Sequence, residues 1–191
     1  MERSRSEVHR LTVIIGLILA AAITRLLPHP PNMTPVTAVS LFGGALLPSP
    51  WRFALPLLVM GLSDVALGLR AGDWSITFHP TLPVVYATFL AIALGGGAFL
   101  RRRLTLGRTL GAAFAGSVLF FITTNFAVWA LTELYPPTLE GLVACYVAAL
   151  PFFRNSLLGD IGYTVLLFGL YSAGARVWKY ELLPRQIVQR D

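Results

Sequence analysis

The sequence predicts an all-α integral membrane protein. The expected architecture is a bundle of six transmembrane helices, both termini cytoplasmic, with an extra interfacial or re-entrant helix between spans five and six. Three observations carry this. Charged residues make up 13% of the 191-residue chain and hydrophobic ones 55%, whereas a soluble domain carries about 25% charge to keep its surface wet. Apolar runs of bilayer-crossing length recur, separated by short polar or proline-rich segments. Arg and Lys gather in alternate connections between those runs, as cytoplasmic flanks do. No polar stretch is long enough to divide the chain, so 1–191 reads as a single membrane domain.

A crossing helix needs about 20 apolar residues, and the spans follow in order. Span one, 11–27, lies behind a basic segment, MERSRSEVHR. It mimics a signal peptide with Ala20 and Ala22 at a cleavage site, but its apolar run continues past them, so a retained helix is expected. It stops at Pro28-His29-Pro30-Pro31-Asn32, where prolines remove backbone donors. Span two, 35–47, is short and closes at Pro48-Ser49-Pro50. Span three covers 51–69, span four 81–100 and span five 109–131. The segment 138–153 is broken by Pro151 and falls below spanning length, hence the interfacial or re-entrant reading. Span six covers 155–175.

Orientation follows from charge. This layout places Arg3, Arg5, Arg10, Arg52, Arg101, Arg102, Arg103, Arg108, Arg176, Lys179, Arg185 and Arg190 inside, and only Arg25, Arg70 and Arg154 outside. A seventh span at 138–153 would send the four C-terminal cations outside, which the positive-inside rule disfavours. The net charge of +6 flanks apolar spans and forms no basic patch with interleaved aromatics, so a membrane explains it better than nucleic acid.

Polar side chains inside spans are costly and therefore informative. Asp64 precedes Arg70 by six residues and Asp160 follows Arg154 by six, which puts both about 9 Å below the outer helix ends. Asn125 lies eight residues before Glu133, with Trp129 one turn away on the same face. Arg25 is near the outer end of span one. These five residues are expected to line an outward cavity, with His29, Asn32, His79 and Tyr146 at its mouth. The alternative is a structural network in which Arg25 neutralises Asp64 or Asp160. Gly16 and Ala20 form a small-xxx-small pair on span one, a face another helix can approach closely. Gly95-Gly96-Gly97, inside span four, reads as close helix packing rather than a phosphate loop.

The lone cysteine, Cys145, cannot form an internal disulfide. No C-x-x-C, H-E-x-x-H or Ser/His/Asp arrangement appears, nor a carboxylate pair placed for hydrolysis. No enzymatic activity, cofactor or structural metal is expected.

The segments PHPPNMTPVTAVSLFGGA from Pro28, GLSDVALG from Gly61, FHPTLP from Phe78, FFITTNFAVWA from Phe120 and GLVACYVAALPFFRNSLLGD from Gly141 carry a resemblance. They resemble an uncharacterised bacterial family of transport-related membrane proteins, which is itself similar to the substrate-binding S components of energy-coupling factor (ECF) vitamin transporters. The likeness covers roughly residues 25–171. It implies a multi-pass protein of the bacterial cytoplasmic membrane. It also implies capture of a small organic nutrient, a vitamin or precursor, and docking through span one to an energising module of a transmembrane subunit and ATPases. S components often carry an A-x-x-x-A-like motif there, for which Gly16 and Ala20 are the nearest counterpart. A corrinoid is one candidate, with His79 or Cys145 able to ligate cobalt. The rival function is a structural or assembly protein of the envelope.

Overall fold

A computed structural model describes residues 2–177, all helical apart from turns and connections. The Lys179, Arg185 and Arg190 of the charge count lie outside the described residues. The order is α1 (Glu2–Thr24), α2 (Val36–Leu46), α3 (Trp51–Ala71), α4 (Leu82–Ala91), α5 (Gly97–Arg102), α6 (Leu106–Leu131) and α7 (Leu139–Val177). A π-helical turn, Ile92–Gly96, joins α4 to α5 without a break. The described residues therefore form six rods, and five of them are long and apolar enough to cross a membrane.

Local chemistry sets the ends. Prolines 28, 30 and 31 keep the chain non-helical after α1. Gly72, at φ 66°, terminates α3 in the left-handed region that glycine occupies without strain. Thr105 caps α6, its hydroxyl accepting from the Arg108 amide, so that helix starts three residues before the expected 109.

The sixth rod is α2, and it differs from the rest. Its 11 residues are all buried, and at 1.5 Å each they reach only about 16 Å, half of a hydrocarbon core. The other helices sheathe it. Phe42 meets Phe168 and Tyr171 edge-on, with ring centroids 5.0 and 5.7 Å apart. A Cβ on Gly44 would stand 2.3 Å from the Ala93 carbonyl oxygen, and one on Gly97 would stand 2.5 Å from the Gly44 carbonyl carbon. Glycine at both places lets the two backbones touch, as expected of the glycine run. Gly96 likewise packs on Leu41, whereas Gly95 meets nothing. Arg101 donates to the Gly44 and Leu47 carbonyls and so closes the C-terminal end of α2.

Directions follow from contacts. Arg25, after α1, pairs with Asp64 near the end of α3, so α1 and α3 run parallel. The intervening chain must return the full thickness, and the loop before α2 supplies what the short helix cannot. That loop descends into the bundle. Arg70 donates to the Leu26 carbonyl at 2.6 Å and Asn155 to the Pro31 carbonyl at 3.1 Å. Met33 packs against Gly159, and Asn32 takes a φ of 64° at the turn. At the opposite end Arg10, Arg52 and Arg101 lie within charge reach of one another, and Arg10 approaches Tyr171.

One expected element is corrected. Residues 138–153 are not a separate interfacial helix followed by a span at 155–175; they are the first part of the 39-residue α7. The helix continues through Pro151, which itself donates no bond, because apolar surroundings offer the neighbouring backbone no other partners. Tyr146 donates to the Ile122 carbonyl and Ser117 donates to Asp160, so α7 is tied to α6 on both sides of the proline.

Candidate functional site

The descending loop, the first turn of α2 and the facing walls of α3, α4, α6 and α7 enclose a pocket of about 110 Å³. Arg25, Asn32, Thr37, Phe89, Phe120 and Asp160 are among its lining residues. A wider cavity of about 580 Å³ shares Arg25, Asn32 and Thr34 with it and adds His29 and Arg70. The two form a vestibule leading to a deeper chamber, at the end of the bundle where α1 and α3 finish. Helix α2 starts at the chamber floor. Its N-cap, Pro35, makes no side-chain cap, so the first-turn amides lack intrahelical acceptors and point toward the chamber that Val36 and Thr37 line.

Two carboxylates flank this site under different conditions. Asp64 is saturated. Its Oδ1 lies 2.5 Å from Arg25 Nη2, its Oδ2 accepts from the Tyr86 hydroxyl at 2.8 Å, and its backbone carbonyl accepts from Thr77. The same guanidinium donates to Ser63 Oγ and to the Met60 carbonyl, leaving Nε without a partner. Asp160 is 4% exposed and, among the described residues, forms no ion pair. Ser117 donates to its Oδ2 at 2.6 Å and the Thr37 hydroxyl faces it.

The sequence-derived residues divide accordingly. Arg25, Asn32 and Asp160 line the chamber, His29 lines the vestibule, and Asp64 reaches the site through Arg25. Asn125, Trp129 and Tyr146 do not line either cavity. The Asn125 side-chain amide donates to the Phe121 carbonyl within its own helix, and the Asn125 backbone carbonyl accepts from Cys145; Trp129 donates to the Pro136 carbonyl. His79 pairs with the Thr81 hydroxyl, also away from the chamber. The expected common depth of Asp160 and Asp64 rested on a helix start at 155. Asp160 instead lies mid-way along α7 and lines the same pocket as Arg25.

Residues 5–182 match the family of unknown function DUF6580. The chain belongs to the DUF6580 family. Comparison with curated proteins and with solved structures returned no match. Membership supports the uncharacterised-family half of the resemblance drawn from the sequence, and says nothing of S components.

Sequence reasoning missed several residues of this DUF6580 site: Thr34, Thr37, Ser117, Ser156, Phe89 and Phe120. Threonine and serine serve so often as helix-bridging groups that none stood out singly. Thr37 and Ser40, in an apolar segment with no charge on any face, were the available signal that this helix is wrapped by protein.

Proposed function

We propose that this DUF6580 protein is the membrane-embedded substrate-binding component of a transporter for a small organic nutrient, with a vitamin or precursor the favoured class. The observation that supports it is the chamber with a wider vestibule at one end of the bundle and a buried half-length helix as its floor. Such a pocket admits solute from one side only. The inward-facing end is closed by the packed core around Phe42 and by Arg101. Discontinuous helices that begin at mid-membrane are a recurrent way of presenting polar groups to a solute there.

In this reading both termini are cytoplasmic, the membrane is the bacterial cytoplasmic one, and the vestibule opens outward. An energising module docks on α1 as in ECF S components. Gly16 has no heavy atom within 4 Å beyond its own helix, and Ile15, Leu19 and Ile23 beside it are exposed, which leaves a small-residue face free for another helix. His79 and Cys145 lie off the chamber, so cobalt ligation by either gains no support. The envelope-assembly alternative draws on the Arg25–Asp64 pair, whose saturated bonding suits a structural tie.

Native mass spectrometry of protein purified from its host membrane tests the proposal. A co-purifying small molecule lost on Asp160→Asn is the expected result. A Gly16→Leu/Ala20→Leu variant should retain that molecule while losing any co-purifying partner and uptake. Absence of both molecule and partner would favour the assembly function.

A further inference from the structure

Charge accounting around the chamber leaves one group unbalanced. Arg25 is the cation on its wall, and its charge is met by Asp64 at 2.5 Å. Asp160 lines the same wall, is 4% exposed, and among the described residues its carboxylate is met by the hydroxyls of Ser117 and Thr37 and by no salt bridge. The amide end of α2 beside Thr37 adds about half a positive charge, enough to favour the carboxylate but not to cancel it. A buried carboxylate without a cation is unfavourable in an apolar interior, and in a membrane such a residue marks a ligand path. The chamber's apolar side has its own character. Phe89 and Phe120 line it, with ring centroids 4.9 Å apart and planes 28° from parallel. Aromatic faces carry negative potential and attract organic cations.

We propose that the chamber recognises an ammonium group, held between the Asp160 carboxylate and the Phe89–Phe120 ring pair, with Thr37 and Ser156 supplying hydroxyl contacts. The substrate class is a small organic amine, protonated or quaternary. The anionic solutes that many half-helix sites select are disfavoured here, because Asp160 repels them and Arg25 is already paired. This inference rests on the reading of the cavity as a solute pocket and narrows its ligand.

The test uses full-length protein in lipid nanodiscs and three probes of one shape: benzylammonium, benzyl alcohol and benzoate. Ligand-induced rise in unfolding temperature is the readout. Benzylammonium should stabilise the protein saturably, while the neutral and anionic probes at equal concentration should not. Asp160→Asn should weaken benzylammonium binding by about tenfold or more. If that variant does not fold, Phe120→Leu, an apolar exchange, should weaken benzylammonium binding about threefold or more. Equal or stronger binding of benzyl alcohol or benzoate would overturn the ammonium assignment while leaving the solute pocket standing. Failure of every probe, with no co-purifying molecule, would overturn both.

Discussion

Arg25 and Asp64 meet with side chains only 16% and 9% exposed, so removing either leaves the other largely desolvated and unpaired. Such a loss costs about 3–5 kcal/mol in a well-buried pair, and the partial exposure of Arg25 puts the expected value at the lower end. Arg25→Ala and Asp64→Ala should each lower the unfolding temperature, and the double variant should lose clearly less than their sum. Additive losses in that cycle would mean the pair is not coupled. The sequence indicated that Arg25 would neutralise one of two aspartates. It could not say which, because the choice depends on Ser63 and Tyr86 converging from α3 and α4. Outside the bundle, Asp73 caps the turn Trp74–Ile76, its Oδ1 accepting from the Ser75 amide at 2.9 Å. That bonding holds its carboxyl below the ordinary value of 3.8. A lowered folded-state pKa stabilises the turn above the unfolded value, and the contribution is lost as pH falls through the folded one. The Ser75 amide resonance should therefore titrate with a midpoint below 3.8; a midpoint above that value would contradict the cap.

Contact between α2 and the π turn depends on glycine, and the glycines at this crossing separate cleanly. Gly44→Ala places a methyl 2.3 Å from the Ala93 carbonyl oxygen, and Gly97→Ala places one 2.5 Å from the Gly44 backbone. Neither backbone can yield without parting the helices, so each should cost on the order of 4 kcal/mol, the range of severe core disruptions. Gly95→Ala meets open space and should leave the unfolding temperature nearly unchanged. Indistinguishable effects at Gly95 and Gly97 would refute close approach as the reason for the glycines. Most elements were legible because apolar length and proline punctuation are local signals. The continuity of α7 through Pro151 was not. Pro151 signals an interruption in water, where a freed carbonyl finds a solvent partner, but inside apolar surroundings the helix continues through it. Reading 138–153 as a separate segment gave proline the weight it has in soluble chains. Asn125 and Trp129, expected in the cavity, and Tyr146, expected at its mouth, instead bond to carbonyls of their own helix, of the following loop and of α6, which linear spacing along one helix does not reveal.

Across the whole bundle, the basic residues Arg10, Arg52 and Arg101 share one end, while the vestibule occupies the other. Cysteine introduced at Arg102 and at Asp73, both exposed, should react with impermeant thiol reagents from opposite sides of intact cells; native Cys145, 2% exposed, stays silent. Asp73 is expected to react from outside. Labelling of both from one side would break the six-rod topology, and reversed labelling would invert the proposed orientation. The apolar runs were legible in the sequence, and five of them form helices long enough to cross a membrane. The depth of the chamber was not, since it depends on how far α2 falls short of a full span. That shortfall has a consequence for how the protein is made. Synthesis delivers α1 and then α2, yet most of the surfaces that cover α2 follow it: α3, the π turn, α5, α6 and finally α7 with Phe168 and Tyr171. The bundle can close around this buried helix only once α7 has been made, so truncation within α7 should leave the earlier helices formed but unassembled and more open to proteolysis.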